Sequence, residues 1–382
     1  MRTILLISPY WKEPHRWMVS TVKMAELWQR LGYAVEVACM GAKTETTMAG
    51  DTLSIHSKKD LFIPDPWNYG IAFGFSGFVN RLAKREKPDL IVINKLLFWS
   101  SLSIIGLKLR GKRVIVLTDA LVGITWWPKG RLPKIAAAIY AWTLGWLVLK
   151  LADKVILFHP QPERVMRRLG IAERAEVIPT GIDPAPFGRA KGQGPSSKDG
   201  KVLVTYVGRL ESVKGVDDFL AAVVPLKKAY PNLEVKVVGW YPSTSSGQAR
   251  HPLVTEYGDD VHFTGLRDDI PAILGETDIF VLPSLSEGLS NALMEAMASG
   301  CACIASDVGG NAFLLQNGVS GFLFPPRDRE ALAAHIRRLL DDPAKRRAMG
   351  EAARKRIEEE FSWEKVGEKY RKLFESFIEE SA

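Results

Sequence analysis

Twice along its length this chain alternates short apolar runs with stretches of helical periodicity, and few folds accept that pattern. From residue 1 to about 185 the runs are T-I-L-L-I-S, A-V-E-V-A-C, D-L-I-V-I-N, R-V-I-V-L-T and K-V-I-L-F, with a helical segment, Met18 to Leu31, between the first two. Runs this short, bounded by turn residues and apolar at successive positions, fit strands buried on both faces of a parallel sheet, and the segments between them serve as crossover helices. The stretch from Pro186 to Gly200, P-F-G-R-A-K-G-Q-G-P-S-S-K-D-G, reads as a linker. A second series follows: V-L-V-T-Y-V, E-V-K-V-V-G, V-H-F-T-G, D-I-F-V-L-P, C-A-C-I-A-S and G-F-L-F-P. Helices are expected at Arg329 to Leu340, Pro343 to Glu360 and about Trp363 to Phe377. The expected fold class is therefore α/β with two doubly wound domains, residues 1–188 and 200–362. The last segment, 363–382, is expected as a C-terminal helix packing back on the first domain. The halves share an architecture but no fixed-period repeat, so a solenoid is excluded.

Composition fits two cores: 382 residues, 47% of them hydrophobic and 25% charged. Three cysteines, Cys39, Cys301 and Cys303, make no disulfide framework and point to a reducing compartment. The opening M-R-T-I-L-L-I-S-P-Y reads as a first strand rather than a signal peptide. Net charge is +8, unevenly spread. Residues 1–190 hold 27 Lys plus Arg against 15 Asp plus Glu, and the remainder 24 against 28. The same N-terminal half holds nine of the eleven Trp. A basic, Trp-rich half points to an anionic partner. A membrane surface is the expected one, because the chain has no zinc-ligand spacing, RNP-like strand or basic helix that would mark nucleic-acid binding.

The chemistry concentrates in the second half. Ser284 to Gly300, S-L-S-E-G-L-S-N-A-L-M-E-A-M-A-S-G, puts Glu287 in the turn after a strand and Glu295 in the following helix, Ser290 to Ala298. At about 1.5 Å rise per residue the carboxylates lie on the order of 10 Å apart, too far to share one proton or one metal ion. They are expected to touch separate parts of one extended ligand. Upstream, G-R-L-E-S-V-K-G at Gly208 to Gly215 also follows a strand and precedes a helix. There Arg209 and Lys214 can converge on an anion, or can neutralise Glu211 and Asp217. Ligands of doubly wound sheets bind beyond the carboxyl ends of the strands, so both motifs are expected at one crevice. The backbone near Gly288, Leu289 and Ser290 can hold a phosphate or sugar oxygen, with Glu287 accepting from sugar hydroxyls or capping the helix. No G-x-G-x-x-G fingerprint is present; the nearest cluster, D-V-G-G-N at Asp307 to Asn311, lacks the spacing, which argues against hydride transfer.

These motifs, with A-S-D-V-G-G at Ala305 to Gly310, N-G-V-S-G-F-L at Asn317 to Leu323 and I-P-T-G-I-D at Ile178 to Asp183, resemble the retaining glycosyltransferases of the GT-B fold, family 4. The resemblance implies two Rossmann-like domains facing a central cleft. It implies a UDP-sugar or GDP-sugar donor with Arg209 and Lys214 on the diphosphate, Glu287 on the sugar and Glu295 on the ribose. Gly208, Gly288, Leu289 and Ser290 line the donor, and the base lies near Val261 to Arg267, where Leu266 is a contact. No metal or other cofactor is expected: no D-x-D occurs, and two fixed cations stabilise the charge that develops on the leaving diphosphate. Asp268 and Asp269 read as a surface turn.

The first half departs from the family. The loop after the first strand is P-Y-W-K-E-P-H-R-W, Pro9 to Trp17, where many relatives have Gly-Gly, and V-L-T-D-A-L-V-G places Asp119 where many have His. Asp119 is expected to contact the donor sugar or acceptor hydroxyl, or else to cap its turn; His15 is a weaker candidate. Ile135 to Leu149 carries no charge and, at fifteen residues, is too short to span a bilayer. It is a helix buried on the sheet, or one whose Trp142 and Trp146 face lies in a membrane interface. Together these features lead to a cytoplasmic enzyme, peripheral on the inner face of the membrane, that glycosylates a lipid-linked or cell-envelope glycan acceptor. The competing readings are a soluble enzyme making small glycosides and a non-catalytic sugar-nucleotide sensor.

Overall fold

The computed structural model describes residues 1–12, 19–63, 69–96, 98–118, 121, 123–125, 130–188, 200–240 and 252–380. The chain divides into two compact units, Met1–Thr180 with Val366–Ala382, and Gly181–Lys365.

The first unit is built on an eight-stranded sheet. Its strands are β1 (Thr3–Ser8), β2 (Ala34–Gly41), β3 (Glu45–Met48), β4 (Leu53–Lys59), β7 (Leu90–Asn94), β8 (Ile115–Thr118), β9 (Lys154–Leu157) and β10 (Ala175–Val177), while β5 (Leu61–Ile63) and β6 (Tyr69–Ile71) form a separate antiparallel hairpin. The order is β10-β9-β8-β7-β1-β2-β4-β3. Only β3 runs antiparallel, on β4; its four exposed residues, Glu45 to Met48, carry no apolar run by which to be recognised. Strand order reverses between β7 and β1, whose register pairs Ile4 with Leu90 and Ile7 with Ile93.

The second unit holds a six-stranded, wholly parallel sheet of β11 (Val202–Val207), β12 (Leu233–Val238), β13 (His262–Gly265), β14 (Ile279–Leu282), β15 (Ala302–Ser306) and β16 (Phe322–Phe324), in the order β13-β12-β11-β14-β15-β16. Alternation along each strand feeds two cores. Ile279, Val281, Ala302 and Ile304 pack with Phe219, Leu332 and Ile336 on one face. Phe280, Leu282, Cys303 and Ala305 pack with Leu293, Met297 and Ala353 on the other. Both faces being covered, these strands read as unbroken apolar runs.

The boundary between units lies at Thr180/Gly181, before the Gly- and Pro-rich segment that marks the linker in the sequence. The reason is packing. Ile182 is buried in the second unit's core and donates its N–H to Phe361 O at 2.9 Å, while Trp363 N–H returns to Ile182 O at 3.1 Å. The segment from Gly181 therefore folds as part of the second unit.

The helix Trp363–Glu379 leaves the second unit at Lys365 and completes the first. Its Tyr370 and Phe374 rings meet the fully buried Trp28 edge-on, with centroids 5.9 and 5.4 Å away, and Phe374 also meets Tyr33 at 5.7 Å. Such contacts add about 0.5–1.5 kcal/mol per aromatic pair beyond area burial. Burial drives the Tyr370 phenol pKa far above its ordinary value, so the hydroxyl stays neutral inside the core. Phe374→Ala is expected to cost the first unit about 3–5 kcal/mol, measured by urea unfolding. A loss below about 1 kcal/mol would mean the helix is an appendage rather than a core element.

Candidate active site

The second unit's strand order reverses between β11 and β14, and the two chemistry-bearing motifs leave the sheet at these two strands. Chain winding thus brings together residues more than seventy positions apart. After β11, Gly208 N–H donates to Val238 O and Leu210 N–H to Trp240 O, and Ser212–Lys214 form one 3-10 turn. Gly215 closes it at φ +67, and a Cβ there would stand 2.0 Å from the Pro283 carbonyl oxygen. Only glycine fits both the conformation and the approach. The turn after β14 is tied to this one by Leu285 N–H donating to Val213 O at 2.8 Å.

On this frame Lys214 Nζ lies 2.7 Å from Glu287 Oε1, with both side chains mostly buried. The same oxygen accepts from Ser284 Oγ at 2.6 Å. Arg209, about half exposed, is paired instead with the nearly buried Glu211 at 3.0 Å. Each cation of the basic motif therefore has its own carboxylate, and without a ligand the cluster is internally neutral. Tyr206, buried beneath the motif, donates its hydroxyl to Arg209 O at 2.7 Å. Burial, with Glu287 nearby, pushes its pKa far upward, so the phenol remains a donor over the working pH range.

The D-V-G-G cluster has a structural role that its spacing does not disclose. Gly310 N–H donates to Gly288 O at 2.8 Å, and Gly309, at φ +55, lies so close under the turn that a Cβ would stand 2.0 Å from Glu287 O. Ser306 Oγ donates to Ser284 O, and Asn311 Nδ2 to Ser306 O at 2.9 Å. The Glu287 turn is thus held from the turn after β11, from Ser284 just after its own strand, and from the end of β15 and the loop that follows.

The predicted residues fall as follows. Lys214 and Glu287 meet directly; Arg209 borders the same turn but is turned to Glu211 rather than converging with Lys214 on one point. Gly208 and Gly288 supply backbone at the two strand ends, and Leu289 packs partly buried against the core beneath. Ser290 is the N-cap, not the first helical residue: its Oγ accepts from Leu293 N–H at 3.3 Å, and the helix is Asn291–Ala298. Glu295 sits in the second turn of that helix, partly exposed between buried Met294 and Ala296. Leu266, 70% exposed, follows the end of β13, and Trp240, 45% exposed, follows the end of β12 beside it. Arg267 is forked onto Asp269 at 2.8 and 2.6 Å, which lowers the Asp269 carboxyl pKa and makes the pair a surface turn. Asp119 and His15 lie outside the described residues. Ser284, Tyr206 and Gly309 were not among the sequence candidates, because a hydroxyl or a glycine gains meaning only from what lies across the sheet.

Two family models match the chain: Glycosyltransferase Family 4 over residues 19–186 and Glycosyl transferases group 1 over residues 190–356. The chain belongs to these group 1, family 4 glycosyltransferases. Glycogen synthase from Mycobacterium tuberculosis is 32% identical over 249 residues, covering 63% of this chain and 57% of the relative. The chain thus matches a little over half the length of that protein. An Escherichia coli UDP-Gal:alpha-D-GlcNAc-diphosphoundecaprenol alpha-1,3-galactosyltransferase is 28% identical over 281 residues, 69% of each chain. Among solved structures, sucrose-phosphate synthase from Thermosynechococcus elongatus superposes with a TM-score of 0.75 at 23% identity, covering 99% of both chains. HepE from Anabaena, in complex with UDP, gives 0.75 at 18% identity over 98% of this chain and 100% of the other. These likenesses establish the GT-B fold with two Rossmann-like domains.

The close packing under the family's D-V-G-G loop predicts a difference between two glycines. Gly309→Ala is expected to destabilise by about 1–3 kcal/mol through strain and collision with the Glu287 turn. Gly318→Ala, at φ +80 with open space around it, is expected to cost about 1 kcal/mol. Equal losses in urea unfolding would contradict the packing role.

Proposed function

We propose that the protein transfers a sugar from a nucleoside diphosphate sugar to a lipid-linked or cell-envelope glycan acceptor. The observation that carries the reading is the Lys214–Glu287 contact at the second sheet's switch point, beside Arg209 and ahead of the helix bearing Glu295. A diphosphate bound there draws on the Lys214 ammonium and on the Arg209 guanidinium, which has donors left after its bond to Glu211. Glu287, with Lys214 and Ser284 fixing one carboxylate oxygen, keeps its other oxygen for sugar hydroxyls. Glu295, about 10 Å along, meets the ribose diol, and Leu266 offers apolar contact to the base. UDP and GDP are the expected carriers; UDP gains support from the HepE complex.

In the proposed reaction the bond from the anomeric carbon to the diphosphate oxygen breaks as the acceptor oxygen attacks the same face. The acceptor proton passes to the leaving phosphate oxygen, and configuration is retained. The diphosphate gains charge in the transition state, where Lys214 and Arg209 act, so the reading needs no metal ion. Asp119 is assigned to the donor sugar or acceptor hydroxyl. The acceptor class draws support from the diphosphoundecaprenol substrate named for the E. coli relative, and the cytoplasmic face of a membrane is the matching location.

Lys214→Ala is expected to lower kcat/KM by a factor on the order of 10²–10³, with Arg209→Ala and Glu287→Gln also impaired. The assay is transfer from the nucleotide sugar that gives the largest thermal shift among UDP-, GDP- and ADP-sugars. Full turnover by Lys214→Ala would sink the assignment. A donor that shifts stability but is neither transferred nor hydrolysed would favour the sensor.

A further inference from the structure

The helix that sequence patterning bounds at Ile135 and Leu149 runs 21 residues in the structure, Arg131–Leu151, with a π-helical turn at Ala141–Gly145. At about 1.5 Å per residue it is some 31 Å long. By length and composition alone it is apolar enough to cross a membrane, so shortness no longer argues against spanning. Packing does. Ala137, Ala141, Gly145, Val148 and Leu149 are buried, Tyr140 OH donates to Leu96 O at 3.3 Å, and a Cβ on Gly123 would stand 2.3 Å from Ala137 O. One face of the helix is therefore part of the first unit.

The opposite face is apolar and open. Leu132 (71% exposed), Ile135 (57%), Ile139 (61%), Trp142 and Trp146 recur at steps of three and four, forming one stripe along the helix, and the π turn adds Leu144. A surface helix of an ordinary globular unit puts polar residues there. Charge along the helix itself is of one sign. No Asp or Glu occurs between Asp119 and Asp153, an interval that contains Lys129, Arg131, Lys134 and Lys150. Arg131, Lys134 and Lys150 are exposed, and exposed Arg168 of the neighbouring helix Glu163–Leu169 stands over the Trp142 ring at 4.4 Å.

We propose that this stripe is the surface by which the protein docks on an anionic lipid bilayer, the helix lying in the interfacial plane. Leucine, isoleucine and tryptophan enter the headgroup region while the lysines and arginines stay among lipid phosphates. Complementarity of charge selects this occupant: a second copy of the chain would set the same cations against each other. The inference deepens the acceptor side of the proposed function, since a lipid-linked acceptor is met at a bilayer, and it rests on that reading for its purpose but not for its test.

The test is flotation of the full chain with vesicles of phosphatidylcholine alone or with about 30% phosphatidylglycerol, at low and high salt. Capture by the anionic vesicles at low salt, weakened by salt, is expected. Ile135→Glu with Ile139→Glu should lower partitioning about tenfold or more, and Lys134→Glu with Lys150→Glu should weaken it and flatten its salt dependence. Because these side chains are exposed, the melting temperature and its shift by UDP should not change, so loss of docking is separable from misfolding and from failure of the donor site. The proposal is overturned if the wild type does not float with anionic vesicles, or if the Ile135→Glu, Ile139→Glu variant floats as well as the wild type. It is also overturned if light scattering without lipid shows a dimer that this variant converts to monomer, which would make the stripe an interface between copies.

Discussion

The pairing of β11 with β14 is the constraint on which the second unit depends. Val204 lies beside Ile279 and Thr205 beside Phe280, although the chain between them builds β12 and β13 on the far side of β11. Two loops leaving neighbouring strands in opposite winding directions must diverge, and the gap between them opens at the carboxyl ends. Asp278 secures the join lower in the sheet, accepting from Leu203 N–H at 2.9 Å through its side chain, while Thr205 and Thr277 share a buried hydrogen bond at 2.8 Å. The Lys214–Glu287 contact, the Gly215 approach to Pro283 and the Leu285–Val213 bond are all consequences of that adjacency.

Electrostatically the site is poised rather than charged. Taking two cations and two carboxylates partly out of water is tolerable because each is paired, and removing one partner would strand the other. Pairing also positions: Glu287 accepts from Lys214 and Ser284 on one oxygen, so its rotamer is fixed before any ligand arrives. Backbone glycines do the rest. Gly215 and Gly309 let main chain come into contact on both sides of the Glu287 turn where any side chain would force it away.

The first unit follows the same winding rules and diverges in what it shows to solvent. Its C-terminal helix closes an aromatic cluster around Trp28, and its Arg131–Leu151 helix buries Ala137, Ala141, Gly145, Val148 and Leu149 inward while carrying Leu132, Ile135, Ile139, Trp142 and Trp146 outward. That inversion of the usual surface pattern is a property of the helix as placed. The sequence shows fifteen uncharged residues and leaves burial and exposure equally open.

Much of this protein was legible from its residues. Apolar runs of period-independent character read as strands because both faces of the central strands are buried, and turn residues after them marked where chemistry can sit. G-R-L-x-x-x-K-G and the Glu287 to Glu295 spacing could be read from the sequence because they are local, each lying within one strand-turn-helix unit. The edge strand β3 escaped notice because an exposed strand carries no apolar run, and the boundary at Thr180 because it depends on where Ile182 is buried. By itself, then, the sequence determined two α/β windings and the residue types at their strand ends, since these follow from local periodicity and turn chemistry. Only the tertiary structure decided that Lys214 pairs with Glu287, leaving Arg209 to Glu211, that Gly309 supports the Glu287 turn, and which face of Arg131–Leu151 is left open, because each of these depends on how segments distant in the chain approach one another through sheet order.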